Sequence, residues 1–386
     1  MKRHPLPALL TAALAAPLAA QAQNSATLYG LLDVGVEQVS RVGAGASSLT
    51  RVPTNTNTAP SRIGVRGSED LGGGLRASFT LEMGIDPGNG LLNQGGRAWG
   101  RQAFVALGGP WGTVSLGRLY TMTFWSGLAA DIHGGGIYGT GSLDSYLPNA
   151  RADNAIGWRW SGSGFDLGAT YSLGRDAVNA GPSPAGTNCA GESATDSRAC
   201  REWSLMAKYD TKTWGVALAN DRLHGRSVGA APDAVFGGMN SSSKTDNRLI
   251  ANGWFRAGST KVGGGLIRRH NEGLAARPKT DLWHVGAVYT MSPQLDLSAQ
   301  YVTLRYRNVA GWDSGLLSLR ATYNLSRRTA VFAQPNFGRA GQHRPARPSR
   351  SAVARRAATR PRGARSRPGT SVSGTVSERP PPRMTR

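Results

Sequence analysis

No stretch beyond residue 22 holds the roughly 18 uninterrupted apolar residues of a membrane-spanning helix, so a helical membrane protein is excluded. Amphipathic helical periodicity is missing as well, which removes bundles and most α/β folds. The chain has only two cysteines and six histidines, and neither type clusters, which argues against a structural zinc site. No Gly-x-Ser-x-Gly elbow or His-Glu-x-x-His pair occurs, so the common hydrolase and metalloprotease signatures are lacking. The glycine-rich turn Leu71-Gly72-Gly73-Gly74 is followed by no Lys-Ser/Thr pair and is not a phosphate cradle. No cofactor is expected. Acidic residues are scarce too, with 23 Asp and Glu against 45 Lys and Arg.

What is present begins with an export signal. Met1-Lys2-Arg3-His4 is cationic, Pro5 to Ala20 is apolar, and Ala20-Gln21-Ala22 offers small residues for cleavage after Ala22. A signal peptide is therefore expected over 1–22. Residues 23–334 then carry one texture, short strands of period two. Leu75, Ala77, Phe79 and Leu81 alternate with Arg76, Ser78, Thr80 and Glu82. The same alternation recurs at Phe165–Leu173, Trp203–Tyr209, Leu295–Tyr301 and Leu317–Tyr323. Short turns such as Leu71–Gly74, Asp210–Thr213 and Ala257–Thr260 exchange with long loops such as Tyr120–Asn149 and Gly174–Arg201. Short turns at one end, long loops at the other and aromatics near strand ends predict an all-β transmembrane antiparallel barrel rather than a sandwich.

The formal charge of +22 is unevenly held. Residues 335–386 contribute +12, with 13 Arg, no Lys and one Glu, and the first 22 residues add +2. That leaves +8 for 23–334, a modest basic excess. The 335–386 segment has no alternation and almost no aromatic residue, the composition of a disordered tail. Such an arm resembles a nucleic-acid binder, but no aromatics interleave and export separates it from nucleic acid. We read it as an out-of-frame extension, the usual product of a GC-rich gene read in the wrong frame. A clean in-frame read past codon 334, with normal heat-modifiable trimers in the outer membrane, would refute that reading.

Several blocks resemble a known family. Gln23-Asn24-Ser25-Ala26-Thr27-Leu28-Tyr29-Gly30-Leu31-Leu32-Asp33 is similar to the first strand of the general (non-specific) porins of β-proteobacteria. Ser61 to Gly84, SRIGVRGSEDLGGGLRASFTLEMG, resembles that family's second and third strands. Further similar blocks are Gly100–Leu107, Gly112–Arg118, Arg151-Ala152-Asp153-Asn154 and Tyr323–Thr329, in order along the chain. The resemblance implies a homotrimer of 16-stranded barrels in the Gram-negative outer membrane, in contact with lipid and lipopolysaccharide. Each barrel would pass small polar solutes and inorganic ions by passive diffusion. A final strand ending in an aromatic residue is expected after 334 and is replaced here by the tail, so poor insertion is anticipated.

By the same resemblance, a loop at about 119–150 narrows the pore. Arg62, Arg118 and Arg151 stand in positions that would form a basic wall, faced by Asp131 and Asp144 on the loop. This gives an expected mild anion preference. The loop departs from the family's Pro-Glu-Phe-Gly-Gly segment, reading Asp131-Ile132-His133-Gly134-Gly135. Arg76, Ser78, Thr80 and Glu82 are expected to line the wider lumen, and Arg66 and Arg101 to be solvated lumen or rim residues. Cys189 and Cys200 lie in one external loop of an oxidising compartment, where a structural disulfide is expected. Two rival readings are an outer-membrane barrel hydrolase, which would cleave esters in liposomes without conducting, and a truncated porin without function.

Overall fold

The computed structural model describes residues 25–42, 45–53, 58–134, 138–144, 146–174, 189, 191–226, 239–273 and 279–339. The expected signal peptide and most of the 335–386 tail lie outside them.

The described chain is almost wholly antiparallel sheet. It opens with β1 (Ser25–Leu31), a separate hairpin of β2 (Glu37–Val42) and β3 (Ser47–Arg51), then β4 (Arg62–Gly72) and β5 (Leu75–Gly84). β6 (Gln102–Gly109), β7 (Gly112–Tyr120), β8 (Arg151–Gly162), β9 (Phe165–Ser172) and β10 (Glu202–Asp210) follow. β11 (Trp214–His224), β12 (Thr245–Ala257), β13 (Thr260–Asn271), β14 (Lys279–Thr290), β15 (Leu295–Tyr306) and β16 (Ser314–Asn324) continue the order. The described residues end in β17 (Ala330–Ala333) and β18 (Asn336–Arg339). Apart from the β2–β3 hairpin, strands β1 and β4 to β17 pair in sequence order, an up-and-down meander, and β18 pairs with β16. Many strands run 11 to 13 residues, as in β11 and β12, enough to cross a hydrocarbon layer at a tilt.

The pleat is inside out. Along β11 the exposed Trp214, Val216 and Leu218 alternate with the enclosed Gly215, Ala217 and Ala219. The large apolar side chains therefore face outward, where lipid satisfies them, and small or polar ones face inward. The Leu71–Gly74 turn works because Gly72, Gly73 and Gly74 all take positive φ, 80°, 60° and 80°, which a side chain would resist. Aromatics gather at the turn ends. Phe165 packs on Tyr209 at 4.8 Å between ring centroids, and Tyr209 on Trp214 at 5.5 Å. This is the girdle geometry of an outer-membrane barrel.

The chain between β7 and β8 turns inward. It carries α1 (Met122–Gly127) and two 3-10 turns, Thr140–Ser142 and Leu147–Asn149. The six-residue α1 is too short to show as a sequence period, and packing against the wall holds it. One loop touches β10, β11, β12, β15 and β16, so the sheet curls around it into a barrel.

The sheet holds 16 strands, but β17 and β18 keep one register against β16, pairing Ala333 with Ala321 and Asn336 with Ser318. They are one stave interrupted by Pro335, which lacks an N–H yet accepts from Leu319 N at 3.0 Å through its carbonyl. The barrel sequence thus reaches Arg339, past the expected boundary at 334. Counted this way the described residues supply fifteen staves, one fewer than the sixteen of the family, in line with an expected last strand replaced by the tail. Among the described residues β1 pairs only with β4 and the last stave only with β16, so the closing strand is not among them. Phe332 reaches toward the other edge, where a Cβ on Gly35 would lie 3.7 Å from its ring.

Candidate functional site

Two polar assemblies meet inside the sheet. The first runs along the ends of β4 to β8 that adjoin the long loops. Glu82, near the end of β5, is its only carboxylate among the contacts described. It accepts Tyr29 Oη at 3.0 Å and Arg101 Nε at 2.6 Å, and Arg62 Nε lies 3.5 Å away. Arg101 continues the chain, its Nη2 donating to Tyr120 Oη at 2.7 Å. Arg151, at the start of β8, donates from Nη2 to the same oxygen at 2.7 Å and lies 4.5 Å over the Tyr120 ring. Phe124 of α1 stacks on that ring at 3.8 Å. Arg62, Arg101 and Arg151 thus form a ladder of three guanidinium rungs joined by one carboxylate and one phenol. A planar guanidinium with five donors and a permanent charge suits such shared contacts.

Arg118 stands beside the ladder rather than in it. Its Nε donates to the Gly100 carbonyl at 2.8 Å, and its Nη1 pairs with Asp153, which also has Arg97 Nη2 at 3.7 Å. Arg101, expected as a solvated rim residue, is instead the central rung, with its side chain 7% exposed. Nothing in its sequence context separates it from Arg66. Only the registers Glu82↔Gln102 and Ala103↔Arg118 bring it to the wall.

The second assembly fixes the loop to the opposite wall. Asp144 receives Arg248 Nε at 3.0 Å and Nη2 at 3.2 Å, with Arg269 Nη1 at 3.9 Å. Asp246 binds Arg248 and Arg269 in turn, at 3.2 Å and 2.5 Å. Burial pushes the Asp144 carboxyl up, but Arg248 and Arg269 outweigh it and hold it well below the usual range. Tyr146 Oη donates to Glu202 Oε1 at 2.5 Å and lies 2.7 Å from Asp221 Oδ2, to which Thr123 Oγ1 also donates. Burial and the two carboxylates push the Tyr146 phenol well above its ordinary value.

Asp131, expected to face the basic wall, is a fastening. Gln300 Nε2 of β15, Thr140 Oγ1 and Gly134 N donate to its carboxylate at 2.7, 2.6 and 3.0 Å. The next residues follow it: His133 N donates to Gln300 Oε1 at 2.7 Å, and His133 Nε2 lies 3.0 Å from Ser298 Oγ. Burial and then Arg320 lower the His133 pKa to about 4, so the imidazole is neutral near pH 7. Close approach of the loop to β13 needs Gly263, where a Cβ would sit 2.3 Å from Ala130 O. Arg248, Arg269, Asp246, Glu202 and Asp221 were not foreseen. They lie toward the loop ends of their strands, and inward polar residues clustered there are the signal that could have found them.

Of the expected lumen residues, Ser78 and Thr80 line a cavity of about 770 Å³. Glu82 belongs to the ladder, and Arg76 sits at the turn end of β5, opposite Asp70 and Gly108. Cys189 and Cys200 are joined in a disulfide. Among the described residues no group of three metal-ligating side chains occurs.

Comparison with known proteins agrees with this architecture. The Gram-negative porin family matches residues 8–341. An outer membrane porin protein of Bordetella pertussis is 28% identical over 377 residues, 88% of this chain and 94% of its own. Outer membrane porin protein 32 of Delftia acidovorans is 28% identical, covering 84% of this chain and 87% of its own. An anion-selective porin from Comamonas acidovorans superposes with a TM-score of 0.65 at 23% identity, over 83% and 90% of the two chains. Matched over most of its length, this chain belongs to the Gram-negative porin family, a channel of the outer membrane rather than an enzyme.

Proposed function

We propose that the protein passes small hydrophilic solutes and ions by diffusion, with a mild preference for anions. One observation carries the preference. Among the described residues at the loop ends of β4 to β8, five guanidiniums, Arg62, Arg97, Arg101, Arg118 and Arg151, gather with two carboxylates, Glu82 and Asp153. The loop's own Asp144 is ion-paired with Arg248 on the far wall, and Asp131 is held there by Gln300. A unit charge acts on a passing ion with about 1 kcal/mol at 4 Å in water and more where the pore is narrow. That is a factor of about five in partitioning, enough to set the sign of selectivity. The relative from Comamonas acidovorans is described as anion-selective, which agrees.

We further propose a homotrimer, its exposed apolar strand faces shared between outer-membrane lipid, lipopolysaccharide and neighbouring subunits. An OmpT of Vibrio cholerae with the same fold was solved in a trimer form. Reversal potentials in planar bilayers across a KCl gradient test the preference: the potential should fall on the anion side. A heat-modifiable band of three times the monomer mass tests the assembly, and a monomer alone would count against it.

A further inference from the structure

The cavity of about 770 Å³ is lined in part by Met122 and Trp125 of α1. Phe104 points inward between the exposed Val105 and its neighbours on β6, and with Met122 and Trp125 it gives the cavity an apolar, aromatic side. Arg159 lines the same cavity, with its guanidinium carbon 4.1 Å over the Trp125 ring. Its Nη2 donates to Asp166 at 2.7 Å, while its Nε is buried without a hydrogen bond. Thr170 also lines the cavity, is 3% exposed, and leaves its Oγ1 unbonded. Buried polar groups are ordinarily satisfied, so two orphans beside an aromatic wall indicate a ligand with a flat apolar body and an acceptor edge.

We propose that this cavity is a transit subsite for aromatic carboxylates. The ring would stack against Trp125 and Phe104, and the carboxylate would accept from Arg159 Nε and Thr170 Oγ1. Tyr120 borders the cavity and accepts from Arg101 and Arg151, so an anion leaving the ladder meets the aromatic wall next. Asp166 offsets part of the Arg159 charge, which keeps binding weak. A channel needs sites that ions can leave as readily as they enter. The inference rests on the porin reading and adds a solute class to it.

The test uses the refolded full chain in planar bilayers, with benzoate as probe and acetate and benzyl alcohol as controls. Benzoate should reduce KCl current saturably at millimolar concentration, whereas acetate and benzyl alcohol should show no saturation in that range. Trp125→Ala and Arg159→Gln should each raise the half-blocking benzoate concentration about fivefold relative to the native channel. Indistinguishable responses to benzoate and acetate, equal block by benzyl alcohol, or unchanged half-blocking values in both variants would overturn the subsite and leave the porin reading standing. Absence of any KCl conductance would remove both.

Discussion

The two walls of the channel use the same residue for opposite purposes. In the ion pairs of β12 and β13, Arg248 and Arg269 face Asp144 and Asp246, two cations against two anions, while Glu202 and Asp221 of the same assembly bond to Tyr146; the Arg248 side chain is 1% exposed. On β4 to β8 the guanidiniums outnumber the carboxylates; Arg151 is as buried as the far-wall pair, at 2%, while Arg62 is 28% exposed. A balanced, buried cluster fastens: removing one member strands the others in a low dielectric. An unbalanced wall, on the reading proposed above, leaves charge for passing ions. The contrast also accounts for the loop's carboxylates, which hold the loop in place rather than face the arginines.

The largest expected effect comes from breaking the balanced side. Arg248→Met leaves Asp144 and Asp246 with less compensation and should lower stability by about 3–5 kcal/mol. The loop should loosen, read as a lower heat-modification temperature and a larger, noisier conductance. Selectivity should keep its sign, because the ladder is intact. On the unbalanced side, Arg101→Gln removes the central rung, and the anion-to-cation permeability ratio should fall about fivefold with little change in conductance.

A pH titration sharpens the difference. The His133 pKa is depressed, so the packed loop favours neutral imidazole. Its contribution is complete above the ordinary value near 6.5 and is lost as pH falls toward about 4, at about 1.4 kcal/mol per unit. Current noise should rise over that window and flatten in His133→Gln. The Asp144 carboxyl, held well below its ordinary value, should keep the Arg248 contact through the same range. The smallest effect is expected from Glu82→Gln, which removes one anion from the ladder and should raise the anion preference less than about twofold, since Arg62 already screens it.

The sheet was readable in advance because its pattern is local. Leu75, Phe79 and Leu81 alternate with Ser78 and Thr80, and that period needs no knowledge of the rest of the fold. Which face is inside followed from export and from unequal loop lengths. Arg62 and Arg151 were singled out by resemblance, and the structure places both in one network. Arg101 and Tyr120 were not, because their role is made by register between strands far apart in sequence. Asp131 was assigned to the wrong wall for a related reason. A carboxylate in a loop reads the same whether it faces the pore or Gln300, 169 residues away. Pro335 looked like the end of the barrel, yet an edge stave tolerates a missing donor.

The central claim is that the β4–β8 arginines, and not the β12–β13 pair, decide which ions pass. Its most direct test is the reversal potential under a KCl gradient for the native chain, for Arg62→Gln/Arg101→Gln/Arg151→Gln, and for Arg248→Met. The account predicts anion preference in the native channel, its loss or inversion in the triple variant, and its persistence in Arg248→Met. A triple variant that stays as anion-selective as the native channel, or a native channel that prefers cations, would contradict it.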